Sequence, residues 1–368
     1  MKPIVLVIAA DGVGGVETRL SEVWLHLAPR MPQLRMLVRR GTLDQLCLRP
    51  DLAGLRKFVD RIQTVDVRDT SFARTWAAFA PVLWSLPPGT IVHHILQAPP
   101  LLHRLRGHRV LLSWVGTTFP RLSEKPADWA ASNLSVRSAG LVDVLDPQIF
   151  DQLGRDRALA PKLRLTAGGT IVNGKAFRPG EKRDLVVFLG RVEKYKNALA
   201  FVETLPLLNE LLTAAGKKTA FRVYGRPADQ GQAVRTSLDS LAYQTIDVSW
   251  EETSDPASVL APAKVFVSLQ TPSNYPSKAL AEAMAAGCVP VITDSGESRR
   301  MADAKLAQFI PEHFTRQQLA DAIRAVLTLS DAQFARRSAA IRADAVRRFA
   351  LAPQADYFAH LYAQLGEC

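Results

Sequence analysis

The chain has 368 residues, 48% of them hydrophobic and 22% charged, which is enough apolar material for two ordinary domains and speaks against disorder. No apolar stretch reaches the roughly 18 residues that span a bilayer. Three distant cysteines, Cys47, Cys288 and Cys368, give neither a metal spacing nor a disulfide framework. The net charge of +11 is uneven: residues 1–178 hold 24 Lys and Arg against 14 Asp and Glu, whereas residues 179–368 hold 22 against 21. A basic first half points to an anionic partner, whether a phosphorylated substrate, an acidic lipid surface or a nucleic acid.

In chain order, IVLVIAA (4–10) reads as a buried strand. Its run is short for a signal peptide and has no small-residue cleavage site, so the expected location is cytoplasmic. A helix follows over 14–28, with Leu20, Val23, Trp24 and Leu27 on one stripe. Strands are expected at 35–40, 61–67, 90–95, 108–115, 141–146 and 163–172. Composition then shifts to Gly, Pro and charge, giving a linker at 177–184. Strands resume at 185–190, 221–225, 246–250, 264–269 and 289–293, and the tail is helical by period. Strands alternating with helices predict an α/β fold of two doubly wound, Rossmann-like domains facing a cleft. The expected domains are 1–178 and 179–345, with 346–368 a helix returning to the first domain.

In such sheets ligands bind beyond the carboxyl ends of the strands, and three loops there suit an anion. DGVGGVE (11–17) offers Gly14 and Gly15 at a helix N-terminus, where backbone N–H groups can meet phosphate. It is not the dinucleotide fingerprint, because Glu17 stands where the third glycine belongs. LGRVEKYKN (189–197) ends a strand at Gly190 and supplies Arg191 and Lys196, a bidentate fork and a point charge. In NYPSKALAEAMAAG (274–287), Asn274 or Ser277 can cap a helix and Pro276 suits its start, with backbone at 276–279 near the ligand. Glu282 stands there among alanines, a costly place for a carboxylate unless its oxygens are used, for example by the paired hydroxyls of a ribose. No D-x-D triplet occurs and the seven histidines make no metal spacing. His93 and His94 are adjacent on a strand and face opposite sides, so they do not share a metal. A diphosphate would then be neutralised by Arg, Lys and helix ends, with no metal or cofactor.

Taken together, these loops make the chain resemble the retaining nucleotide-sugar glycosyltransferases of the GT-B architecture, family 4. GGVETRL is similar to that family's Gly-Gly-x-Glu loop. TIVNGKAFRPG, through Asn173, Gly174, Phe177 and Pro179, is similar to its motif before the linker. VVFLGRVEKYKN resembles its Gly-Arg…Lys motif, and NYPSKALAEAMAAGCVPVITD its Glu-x7-Glu segment. The resemblance implies Arg191 and Lys196 as catalytic clamp of the leaving diphosphate, and Gly14, Gly15, Gly190, Asn274, Pro276, Ser277, Lys278, Ala279 and Glu282 as further donor-binding residues. It implies transfer to a glycan or lipid-linked acceptor, as in surface polysaccharide or glycolipid synthesis, by an enzyme peripheral on the inner membrane face. Two departures stand out. Asn274 replaces the first glutamate, which contacts the donor sugar in the family, and Lys278 adds a cation nearby. On the acceptor side the family's histidine is missing from LLSWVGTTF, leaving Trp114 and Gly116 as candidates and no named general base. Other readings compatible with the departures are a silent nucleotide-sugar-binding protein and a GT-B epimerase or phosphorylase; no nucleic-acid module is present.

Overall fold

The computed structural model describes residues 2–67, 71–166, 168–244 and 246–367, so Cys368 lies outside the described residues. The chain divides into two compact units, Met1–Gly169 with Leu351–Cys368, and Thr170–Ala350.

The first unit runs β1 (Ile4–Ile8), α1 (Gly15–Leu27), β2 (Leu34–Arg39), α2 (Arg40–Leu48), β3 (Ile62–Val65), α3 (Phe72–Ser85), β4 (Ile91–Ile95), α4 (Pro100–Arg106), β5 (Arg109–Trp114), α5 (Pro126–Ser138), β6 (Leu141–Val144), α6 (Pro147–Gly154) and β7 (Leu163–Leu165). The second runs β8 (Arg183–Leu189), α7 (Ala198–Ala214), β9 (Ala220–Tyr224), α8 (Gly231–Ala242), β10 (Val248–Glu251), α9 (Pro256–Leu260), β11 (Ala263–Ser268), α10 (Lys278–Ala285), β12 (Val289–Asp294), β13 (Gln308–Pro311), α11 (Arg316–Leu327) and α12 (Asp331–Arg348), and α13 (Leu351–Glu367) closes the chain.

Both sheets are parallel, in the orders β3-β2-β1-β4-β5-β6-β7 and β10-β9-β8-β11-β12-β13. Helices cover both faces of such sheets, which is why β1 (IVLVI) and β11 (AKVFVS) are buried at every position. Strand order reverses direction between β1 and β4 in the first sheet and between β8 and β11 in the second. Those are the switch points at which a doubly wound sheet opens a crevice.

The helix α13 belongs to the first unit, where a buried polar network holds it. Tyr357 donates to Asp143 Oδ1 at 2.7 Å, and Ser113 donates to Asp143 Oδ2 at 2.7 Å. Since that hydroxyl proton is spent on Asp143, Ser113 Oγ accepts from His93 Nε2 at 2.8 Å. His93 Nδ1 in turn accepts from Tyr362 at 2.8 Å. Arg19 on α1 donates to Gln354 at 2.7 Å, and Gln354 to the Gly169 carbonyl at 3.0 Å. Each side chain of this network makes at least one hydrogen bond, which offsets much of the cost of burying it.

The boundaries differ from the sequence reading. The units part at Gly169/Thr170 rather than after 178, because Phe177 is fully buried in the second unit's core and Val172 bridges Ala350. Arg342 adds a tie, donating to the carbonyls of Phe177 at 2.6 Å and Gly174 at 3.0 Å. The return to the first unit begins at Leu351, not 346, because α12 carries on to Arg348 against α10. β7 stops at Leu165, and the four-residue β13 was not expected at all. Among the described residues no helix is long and apolar enough to cross a membrane.

Candidate functional site

At the switch point of the second sheet, the loops leaving β8 and β11 are tied together. β8 ends where the Gly190 N–H reaches the Tyr224 carbonyl at 2.9 Å. Lys196 Nζ donates to Gln270 Oε1, and its ammonium lies 5.2 Å from the Tyr195 ring centre. Asn197, in the left-handed region at φ 56°, donates to the Leu269 carbonyl at 2.7 Å, and the Thr271 N–H reaches the Tyr195 carbonyl at 2.9 Å. Arg191 is exposed, with Nε 2.6 Å from Glu193 Oε1 and Nη2 3.3 Å from the Tyr195 hydroxyl. Burial, and then the neighbouring Arg191 charge, push the Lys196 ammonium down to about 8, against the pull of Glu193. Two cations held this close gain from an incoming anion, which is the chemistry of a phosphate clamp.

The loop after β11 leads into α10. Ser277 caps it, accepting from the Leu280 N–H at 3.3 Å; Pro276 precedes the cap and Ala279 is half-buried in the first turn. Glu282 is 3% exposed and Lys278 7%. Lys278 Nζ is 3.2 Å from Glu282 Oε1 and donates to the Ile171 carbonyl at 3.2 Å. The carboxylate among alanines is therefore half of a buried ion pair one helical turn long. Such a pair offsets its own desolvation only with further hydrogen bonds. The small residues around it let α10 pack within the core of the second unit.

Asn274 corrects an expectation. Its Oδ1 accepts from Ser268 at 2.7 Å and from the Gln270 N–H at 3.3 Å. Its Nδ2 donates to the Thr293 hydroxyl at 2.8 Å, the Thr293 carbonyl at 3.1 Å and Ser298 Oγ at 3.2 Å. With the amide 1% exposed and both ends engaged, Asn274 staples the loops after β11 and β12 and presents nothing to a donor sugar.

The first-unit candidates also change. The Gly14 N–H is taken by Glu17 Oε2 at 2.9 Å, so a carboxylate occupies the place foreseen for phosphate. Gly15 opens α1 beside it. Trp114 is buried in the core, 4.6 Å from the Phe119 ring, and is not a surface for an acceptor. Gly116 sits against it: a Cβ there would meet the Thr118 carbonyl oxygen at 3.2 Å.

The structure thus gathers Gly190, Arg191 and Lys196 with the Gln270–Asn274 loop and α10. It leaves Gly14, Gly15, Trp114 and Gly116 in the other unit. Gln270, Tyr195 and Gly225 were missed. Gly225 has φ 147°, and a Cβ there would fall 1.9 Å from the Gly190 carbonyl oxygen, so only glycine lets the loops after β8 and β9 meet. Its signal was the glycine closing FRVYG.

The architecture matches solved glycosyltransferases throughout. A Rickettsia africae glycosyltransferase superposes with TM-score 0.72 at 15% identity, covering 99% of this chain and 98% of that one. Anabaena Alr3699/HepE in complex with UDP and glucose gives 0.76 at 12%, over 99% and 100%. Sucrose-phosphate synthase from Thermosynechococcus elongatus gives 0.73 at 17%, over 99% and 99%. No curated protein matches. At these identities the likeness is one of fold, and the fold is that of the GT-B glycosyltransferases. Residues 183–329, which carry β8 through α11, match the family model for the glycosyl transferases group 1. That match covers the sheet of the second unit and the helices packed on it.

Proposed function

We propose that the protein moves a sugar from a nucleoside-diphosphate sugar to a glycan or lipid-linked acceptor, with retention and without a metal or cofactor. One observation carries this reading: Arg191 and the half-buried Lys196 stand together at the switch point of the second sheet, on the loop tied to the one that leads to Glu282. Arg191 and Lys196 hold the diphosphate and stabilise it as it leaves, and Glu282 receives the ribose hydroxyls. The acceptor hydroxyl attacks on the face the diphosphate leaves, and a diphosphate oxygen takes its proton. The absence of any D-x-D triplet, beside the two neighbouring cations Arg191 and Lys196, supports charge neutralisation by side chains. Alr3699/HepE is solved with UDP and with UDP-glucose, which makes uridine the first base to test. The first unit takes the acceptor, and its basic excess keeps the enzyme peripheral on an anionic inner membrane face.

The test is a thermal-shift screen of UDP-, GDP-, ADP- and CMP-sugars, followed by release of free nucleoside diphosphate with a mixed acceptor panel. Stabilisation by one base and turnover with its sugars is the expected result. No shift with any of the four defeats the donor assignment.

A further inference from the structure

The basic excess of the first unit has a location. From Ser71 to Ser123 the chain has five arginines, Arg74, Arg104, Arg106, Arg109 and Arg121, and no lysine, aspartate or glutamate. Within that stretch α4 holds Leu101 at 69% and Leu105 at 65% exposure, with Arg104 also exposed. These are positions i, i+4 and i+3, one face of a helix. His103, on the opposite side, is buried. Trp84, in the last turn of the adjacent α3, is half exposed, and the Arg106 guanidinium lies 5.2 Å from its ring centre. Arg106 is fixed there by donating to the Leu86 carbonyl at 3.2 Å. Arg104 makes no ion pair among the described residues.

Protruding leucines gain nothing from water and nothing from a nucleic-acid backbone. Leucines beside an indole and arginines that have no carboxylate partner among the described residues suit the boundary where acyl chains meet headgroups, with the apolar tips inside and the guanidiniums at lipid phosphates. The lack of any carboxylate in the stretch removes the repulsion an anionic surface would otherwise meet. We propose that the α3–α4 face docks the protein on an anionic lipid bilayer, inserting Leu101, Leu105 and Trp84 and laying Arg104 and Arg106 against phosphates. This rests on the membrane clause of the preceding reading and is independent of its donor chemistry.

Sedimentation of the full chain with phosphatidylcholine vesicles, with and without phosphatidylglycerol, tests it. Binding is expected only with phosphatidylglycerol, weakening as salt rises. The double variant Leu101→Glu/Leu105→Glu should bind about tenfold more weakly, and Arg104→Glu at least about fivefold. Leu48→Glu, on the 63%-exposed Leu48 of α2, should bind as the parent does. Calorimetry with UDP on each variant should give unchanged affinity. If the double variant also loses UDP, it has misfolded and Arg104→Glu decides. Absent binding to anionic vesicles, or equal losses in Leu48→Glu and the α4 variants, overturns the proposal, and neither result touches the nucleotide site.

Discussion

Lys196 and Gln270 join the two loops that flank the switch point of the second sheet, the ammonium of one donating to the side-chain carbonyl of the other. A neutral oxygen is a weak partner for a cation with Arg191 nearby. On the proposed reading, a bound diphosphate supplies the missing negative charge. Lys196→Ala and Arg191→Ala should therefore each weaken UDP binding by about tenfold or more, about 1.4 kcal/mol. Arg191 first has to leave Glu193, so Glu193→Gln should bind UDP slightly more tightly than the parent. Calorimetry checks all three, and affinities equal to the parent for both alanine variants would move the site elsewhere.

Lys196 also makes binding depend on pH. In the free protein burial lowers it to about 8, so it loses its charge as pH rises through 8. A bound diphosphate favours the charged form and raises that value. UDP affinity should be highest near pH 7, above the ionisation of UDP's own terminal phosphate, and fall above pH 8, by up to about tenfold per pH unit. Near pH 8 binding should take up roughly half a proton. Calorimetry in buffers of different ionisation enthalpy measures that uptake, and Lys196→Ala should abolish it.

Much of the fold is legible in the sequence. Short, β-branched apolar runs such as IVLVI and KVFVS, recurring between helical stretches, read as strands buried on both faces, and this pattern implies the two parallel sheets. Gly190, Arg191 and Lys196 were legible because strand, glycine and cation sit within one short loop. What failed were statements about where a polar side chain spends its hydrogen bonds. Asn274 is consumed by Thr293 and Ser298, some 20 residues ahead, and Gly14 by Glu17 in its own helix. β13 was missed because QFIP is too short to show a period, and the unit boundary because Phe177 looks like linker until its pocket is known.

The buried pair on α10 separates a binding role from a packing role. Glu282→Ala removes the counter-charge of a lysine that is 7% exposed and should cost roughly 3 kcal/mol of stability. Replacing both partners, as Lys278→Met/Glu282→Gln, removes the charge problem and should restore most of the melting temperature. UDP affinity should not return with it, since glutamine is a poorer acceptor for two ribose hydroxyls. Parent-like UDP affinity in the double variant would make Glu282 a core residue and nothing more.

The first unit should be sensitive to acid. His94 Nε2 is 2.8 Å from His103 Nε2, and His103 Nδ1 is 3.1 Å from His108 Nδ1, whose Nε2 donates to the Leu86 carbonyl at 3.4 Å. Each link of that chain uses one proton, so neutral rings fit and additional protons do not. Burial holds His103 at about 3, helped by His108, and His93 at about 3, helped by Arg19. His94 is pushed down by burial and then by His103, His93 and His108, and burial lowers His108 as well. In the unfolded chain these rings titrate near 6.5. Their folded values are lower, so the unfolded state binds more protons below 6.5 and stability falls from there toward pH 3. For His93 and His103 the slope is about 1.4 kcal/mol per pH unit each, or roughly 2 kcal/mol apiece by pH 5, and His94 and His108 act in the same direction. Calorimetric melts from pH 7.5 to 5 should show one transition moving steeply downward. Substituting His94 and His103 together by Leu and Gln should flatten its pH dependence, and a parent profile already flat across that range would mean the rings are protonated in the fold.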